Sequence, residues 1–402
     1  MSKWKLVKLG EVCEFIRNGA SIKQGKNRNG YPITRIETIS NCIVDRNKMG
    51  YAGIGELGKY KEYVLNSGDI LMSHINSEKH LGKVAYYENR NEETIIHGMN
   101  LLCLRLKQQK VRYKYVFYFL NSSFFRRQIP NITKKSVNQA SFTVTALKEL
   151  IMILPPLDIQ KHIANTLDKT QEIIDGHKKQ LEELDNLIKA TFYDMFGDPV
   201  TNEKGWKIYK LKNIINGTPQ NGLYKPASEY VNDGTGIPIL RIDAFYNGKI
   251  TNISKLKRLN CIAEEIDKYK LKENDIVINR VNSIEYLGKS ALIKGLGEDT
   301  VFESNMMRFS VDDTIINVNF LIEQLCSTYI YMQVLGHAKK SVNQASINQK
   351  DVQDLDIIVP PLDLQNKFAK IITNIEQQKS LVKQSITESQ NLFNGLMSKY
   401  FD

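Results

Sequence analysis

Lys134-Lys-Ser-Val-Asn-Gln-Ala-Ser141 and Lys339-Lys-Ser-Val-Asn-Gln-Ala-Ser346 are the same octapeptide, and its recurrence 205 positions later decides how the chain is built. The same offset carries Pro155-Pro-Leu-Asp158 onto Pro360-Pro-Leu-Asp363, and Gln160 onto Gln365. Upstream, the segment from Leu65 to Lys83 (LNSGDILMSHINSEKHLGK) matches that from Leu271 to Lys289 (LKENDIVINRVNSIEYLGK). Pro32-Ile-Thr-Arg-Ile36 matches Pro238-Ile-Leu-Arg-Ile242, and Trp4–Leu9 matches Trp206–Leu211. So many blocks in one order describe a duplicated unit of about 200 residues, too long for a solenoid repeat and right for tandem domains.

Within each copy the first three quarters read as mixed α and β. Asp69-Ile-Leu-Met-Ser73 and Asp275-Ile-Val-Ile-Asn279 have the length and apolar content of short buried strands, set between Asn- and Gly-rich turns. Tyr113–Leu120 and Phe320–Leu325 read as helices. The last quarter changes character. After the Pro-Pro pairs, Asp158 and Asp363 are the expected N-caps of long helices. Leu167, Ile174, Leu181, Ile188 and Met195 recur every seventh residue, with Ile163, Leu184, Thr170 and Thr191 in the companion position. Ile372, Ile386, Phe393 and Tyr400, with Phe368, Ile375, Val382 and Leu396, repeat the rule. A sustained seven-residue period specifies helix pairing in a left-handed coiled coil. His177, Lys379 and Ser389 are polar intruders suited to fixing register. Each helix would span about 40 residues, or roughly 60 Å at 1.5 Å per residue. The expected fold class is α+β. Mixed α/β domains at 1–154 and 199–359 alternate with long helices at 155–198 and 360–402.

The 402 residues carry a net charge of +11, with 42% hydrophobic and 25% charged residues, the balance of a soluble protein with a polyanionic partner. No apolar run reaches membrane-spanning length, and the N-terminal segment lacks a signal-peptide core, so no membrane role is expected. Five scattered cysteines without a C-x-x-C pair point to a reducing cytoplasm rather than to disulfides or structural zinc.

Several motifs invite misreading. Gly53-Ile-Gly-Glu-Leu-Gly58 satisfies G-x-G-x-x-G but runs into a Lys/Tyr-rich stretch, so a turn is expected. Gly288-Lys-Ser290 ends like a phosphate loop without its earlier glycine. The Pro-Pro-Leu-Asp segments lack the amide and aromatic residues of an amino-methyltransferase motif. The histidines do not pair at metal-ligand spacings; His74 and His80 share a loop without a third ligand. No catalytic residues and no metal or cofactor site are expected in this chain.

The order Trp-x-x-x-x-Leu, a Gly-Thr-Pro turn (Gly217–Pro219, paired with Gly19-Ala20-Ser21), a Gly-Asp-Ile strand, a Ser-Val-x-Gln segment and Pro-Pro-Leu-x-x-Gln opening a long helix closes on Met195-Phe-Gly-Asp-Pro199. This arrangement resembles, over essentially the whole chain, the specificity subunit of type I restriction–modification enzymes. Asn274-Asp-Ile276 departs from the Gly-Asp-Ile pattern. The resemblance implies two target-recognition domains, each reading half of a split double-stranded DNA sequence, with the helices as an antiparallel spacer. It further implies two methyltransferase subunits that modify adenine at N6 and, in the full complex, two ATP-dependent restriction subunits. S-adenosylmethionine, ATP and magnesium would belong to those partners.

If the copies read different half-sites, identical positions cannot supply the difference. The repeated octapeptide is then scaffold, methyltransferase contact or phosphate contact, with Lys134, Lys135, Lys339 and Lys340 as candidate phosphate ligands. Base readers belong where the copies diverge in polar loops: Lys23, Gln24, Lys26, Arg28, Ser73, His74 and Asn76 in the first copy, and Gln220, Tyr224, Lys225, Asn279, Arg280 and Asn282 in the second. The same features would suit the recognition subunit of a modification-only or type II-like methyltransferase-nuclease. A coiled-coil protein scaffold is the alternative of a different class.

Overall fold

A computed structural model describes residues 4–24, 29–39, 43–137, 139–342 and 344–402. The chain divides into two compact units, one of Met1–Lys178 with Gln384–Asp402 and one of Lys179–Lys383. These boundaries differ from those read off the repeat. Each unit takes the start of its own long helix and the end of the other copy's.

The two units share a framework. In the first, Lys5–Lys8 pairs antiparallel with Ile151–Leu154, and the strands Cys13–Asn18, Leu101–Leu106, Ile70–Ser73 and Val84–Tyr86 form an antiparallel sheet in that order. In the second, Lys207–Lys210 pairs with Asp356–Val359, and Ile215–Asn221, Met306–Val311, Ile276–Asn279 and Ser290–Leu292 form the matching sheet. Ile70–Ser73 and Ile276–Asn279 are buried throughout, which is why both read as unbroken apolar runs. The second unit adds a sheet of its own, ordered Tyr230–Val231, Lys257–Leu259, Ile237–Leu240 and Val301–Phe302.

The repeated aspartate of the core strand is a turn lock. Asp69 Oδ2 accepts the Asn66 amide and Asp275 Oδ2 the Lys272 amide, both at 2.8 Å. Their second tie differs: Arg105 donates to Asp69 at 2.9 and 2.7 Å, and the Ser310 hydroxyl donates to Asp275 at 2.7 Å. The residue before each takes a left-handed backbone, φ +91° at Gly68 and +67° at Asn274. Asparagine is among the residues that tolerate this region best, so the departure from Gly-Asp-Ile leaves the turn intact.

Tyr113–Asn121 and Val318–Leu325 are helical, as expected. The long helices run Leu157–Phe196 and Leu362–Phe401. Asp158 and Asp363 lie inside the first turn rather than at the cap, and there their charge favours the helix dipole. In the first helix Gln160 N donates to the Pro156 carbonyl at 2.9 Å, the first intrahelical bond, so Pro156 stands at the N-cap position. Gly197, at φ +75°, ends that helix, and its amide reaches Tyr193 O at 2.8 Å.

Gln160 and Gln365 clasp each helix start to its unit. The Gln160 amide accepts Arg112 N at 2.9 Å and donates to Lys110 O at 3.1 Å and Pro155 O at 2.8 Å. Gln365 repeats this with Asn317 N at 2.8 Å, Ile315 O at 3.2 Å and Pro360 O at 2.7 Å.

Most heptad positions are inside: Ile163, Leu167, Ile174, Leu184 and Ile188 in one helix, Phe368, Ile372, Ile375 and Val382 in the other. In the second unit Phe192 meets Phe368 at 5.7 Å between ring centroids, while Asp185 meets Lys379. Advancing along one helix therefore means retreating along the other, and the pair is antiparallel. Phe196 fills a cluster with Phe320 (4.6 Å) and Phe368 (5.3 Å). In the first unit its counterpart Phe401 packs on Tyr115 (5.6 Å) and Phe119 (5.9 Å). No helix among the described residues is long and apolar enough to cross a membrane.

Candidate nucleic-acid interface

The repeated octapeptide forms a β-hairpin in both units. Lys134–Lys135 pairs with Ala140–Ser141, which pairs in turn with Ile75–Asn76. Lys339–Lys340, Ala345–Ser346 and Val281–Asn282 repeat the arrangement. The turn is held the same way twice, Ser136 N and Ser341 N each donating to the Gln139 or Gln344 carbonyl at 2.8 Å. The lysines are exposed, and Val137 and Val342 are each 100% exposed.

This sheet gathers Lys134, Lys135 and Asn76 in one unit and Lys339, Lys340 and Asn282 in the other. Asn76 and Asn282 are equivalent, and each accepts the amide of the following serine at 2.8 Å. A shared turn-forming role explains their identity better than discrimination between half-sites. Lys135 pairs with Glu78 at 2.8 Å; Lys134, Lys339 and Lys340 form no ion pair among the described residues.

Ser73, His74 and Asn279 are buried, so in this conformation they have no surface to present to a base edge. Ser73 Oγ donates to His80 O at 2.6 Å and accepts the Lys83 amide at 3.2 Å, closing the loop behind it. Burial holds the His74 imidazole below its ordinary pKa, and its Nδ1 has no partner among the described residues. Neither amide atom of Asn279 has one either. Arg280 is half-buried; one guanidinium nitrogen reaches Ser304 O at 3.3 Å, Nε is unpartnered among the described residues, and desolvation holds its pKa down.

Of the remaining candidates, Gln220 lies in the first strand of its core sheet, and Lys23, Gln24, Tyr224 and Lys225 follow the first strand of theirs. Lys23 is exposed, and Gln24 accepts from Arg35 Nε at 2.5 Å. Lys26 and Arg28 lie outside the described residues. Gln220 accepts from Arg308 at 2.5 Å, Lys225 pairs with Glu265 at 2.8 Å, and Tyr224 is 78% exposed. Strand register corrects one sequence match. Asn18 faces Leu102 and Asn221 faces Met307, and Ala20 N and Leu223 N bond His97 O (2.7 Å) and Phe302 O (2.8 Å). Asn18-Gly19-Ala20 is thus the counterpart of Asn221-Gly222-Leu223, not of Gly217-Thr218-Pro219. An irregularity between Asn216 and Gln220 absorbs the difference. A Cβ on Gly19 or Gly222 would lie 2.3 or 2.2 Å from a carbonyl oxygen of the crossing strand, which is why both are glycine.

Sequence reasoning missed an aromatic patch confined to the second unit. Lys289 Nζ sits 3.3 Å from the ring centroid of Tyr246 and 5.2 Å from those of Phe245 and Tyr286. Burial lowers its pKa to about 8. The Tyr-Asn-Gly-Lys hairpin signal at Tyr246–Lys249 was the available clue. Among the described residues no cluster of His, Cys, Asp and Glu could hold a metal ion.

A family model for the type I restriction modification DNA specificity domain matches the chain twice, over residues 1–186 and 203–389. The chain belongs to the type I restriction–modification DNA specificity family. It is 32% identical over 393 residues to the provisionally named type I restriction enzyme MjaX specificity subunit of Methanocaldococcus jannaschii, covering 93% of this chain and 87% of that one. It is 24% identical to the EcoKI specificity subunit of Escherichia coli K12, covering 99% and 88%. The S subunit of M. genitalium superposes with a TM-score of 0.57 at 15% identity, covering 100% of this chain and 96% of that one. The two matched segments coincide with the sequence repeat, so this specificity subunit carries the DNA specificity domain in duplicate.

Proposed function

We propose that each unit reads one half of a bipartite DNA target, and that the chain selects the site without performing chemistry on it. One observation carries this reading: the two units share a framework down to individual hydrogen bonds yet differ in the polar segments that it carries. Common parts hold the duplex and divergent parts choose the sequence. Arg280, Tyr224 and Lys225 in the second unit, with Lys23, Gln24, Lys26 and Arg28 in the first, supply the divergent polar groups. Ser73, His74 and Asn279 support the loops from beneath.

Methylation of adenine and ATP-dependent cleavage belong in this reading to two methyltransferase and two restriction subunits, which bind S-adenosylmethionine, ATP and magnesium. The chain's own glycine motifs do not suit phosphate binding. Gly58 opens a 3-10 turn and Gly288 leads into a strand, so neither places a phosphate at an α-helix N-terminus. The direct test is a base-resolution methylation map of the host with and without the gene. Loss of one split N6-methyladenine motif on deletion is expected, and an unchanged map would reject the function. Arg280→Ala should relax the second half-site alone; equal loss at both halves would reject its role as a local reader.

A further inference from the structure

We infer that the twin hairpin tips are a sequence-independent DNA clamp, in which the exposed valine of each tip packs against the sugar edge of the groove while the lysines hold phosphates. The inference rests on the DNA-recognition reading and deepens it. Val137 and Val342 are 100% exposed, so neither contributes to the core of its unit. The same residue nevertheless stands at both tips, although the neighbouring loops have diverged from Ser73–His80 (SHINSEKH) to Asn279–Tyr286 (NRVNSIEY). Folding alone requires no valine there. A surface feature retained in two copies that select different sequences meets something common to both, either the methyltransferase subunits or the sugar–phosphate backbone, which is the same at both half-sites.

The chemistry of the hairpin favours DNA over a protein partner. Each tip sets two exposed lysines beside Ser, Gln and a single small apolar side chain, and three of the four lysines form no ion pair among the described residues. One octapeptide tip is also far smaller than the roughly 800 Å² per partner of a stable protein interface. A lone apolar side chain between cations suits a groove whose walls are deoxyribose and whose rims are phosphate. Each hairpin lies on the sheet that carries Asn76 or Asn282, and in the second unit that sheet adjoins Arg280, the proposed reader. In the second unit clamp and reader are neighbours, since Arg280 O accepts the amide of Ile347, the residue that follows the hairpin, at 2.9 Å.

The test uses the chain assembled with its methyltransferase subunits. Affinity for a duplex containing both half-sites and for one containing neither is measured between about 50 and about 200 mM salt. Lys339→Gln with Lys340→Gln should weaken both duplexes equally and reduce the salt slope by about 1 to 2. Val342→Asp should weaken both by at least about tenfold, leaving their ratio unchanged. The equivalent changes at Lys134, Lys135 and Val137 should give the same losses, and the effects of the two tips should add. The clamp is overturned if the variants bind as the parent does, or if the loss is confined to the cognate duplex. It is also overturned if the variants shed the methyltransferase subunits in sedimentation, which would make the tips a protein-docking surface. If the unmodified complex shows no preference for any duplex, the DNA-recognition reading fails first and takes the clamp with it.

Discussion

Gln160 shows how a single side chain can join two kinds of structure. Its amide satisfies Arg112 N, Lys110 O and Pro155 O while completely buried. Gln160→Ala should destabilise the first unit by about 2–4 kcal/mol, since buried backbone groups lose their partners; urea unfolding would measure it, and a cost within experimental error would count against the clasp. The residue was visible in the sequence as a repeated position, but its role was not, because two of its three partners lie about fifty residues upstream. His97 was not visible at all. It is buried, its Nε2 donates to Leu101 O at 2.8 Å, and burial lowers its pKa to about 4. A base whose folded pKa lies below its unfolded value of about 6.5 holds its full stability above pH 6.5 and loses it as pH falls toward 4, by up to about 3 kcal/mol. Urea midpoints at pH 7 and pH 5 should differ more for the wild-type chain than for His97→Gln, and equal differences would refute the assignment. Asp69 and Asp275 mark the opposite limit of legibility, since a turn lock works within a few residues and leaves its pattern in the local sequence.

At the scale of the element, the heptads located the helices and most of their buried faces, because a period is a local property. They did not reveal Phe192, Phe196 and Phe401, whose burial depends on which aromatic residues of a domain lie opposite. The polar intruder at Lys379 is now explained. It is almost wholly buried, bonded to Asp185 and, at 3.2 Å, to Glu376; burial lowers its pKa, but the two carboxylates outweigh this and the net shift is upward. Removing one partner should cost more than removing the charge. Asp185→Asn should destabilise the second unit by about 1–2 kcal/mol, whereas Lys379→Met should stay within about 1 kcal/mol of the parent. Denaturant midpoints of the two variants would decide, and the reverse order would show that the ion pair is not what Lys379 contributes. The hairpins are the complementary case: the sequence displayed them as a repeat, but only the backbone shows that the repeated valine stands outside any core.

For the molecule as a whole, the sequence showed two copies but not where one unit stops and the other begins. The heptads specified that the two helices pair, but not which end of each helix belongs to which unit. Phe401 completes the first unit and Phe196 the second. A fragment of residues 1–198 therefore lacks the segment that fills its own core. It should recover that segment from a second copy of itself, because Ile188, Phe192 and Phe196 match Phe393, Met397 and Phe401 in spacing and apolar character. Sedimentation should find the fragment dimeric, and a stable folded monomer would show the exchange to be dispensable. The exchanged ends also have a meaning for inheritance. If each unit reads its own half-site, a crossover between the halves of two such genes would leave each unit the helix end it needs and would pair two half-site preferences anew.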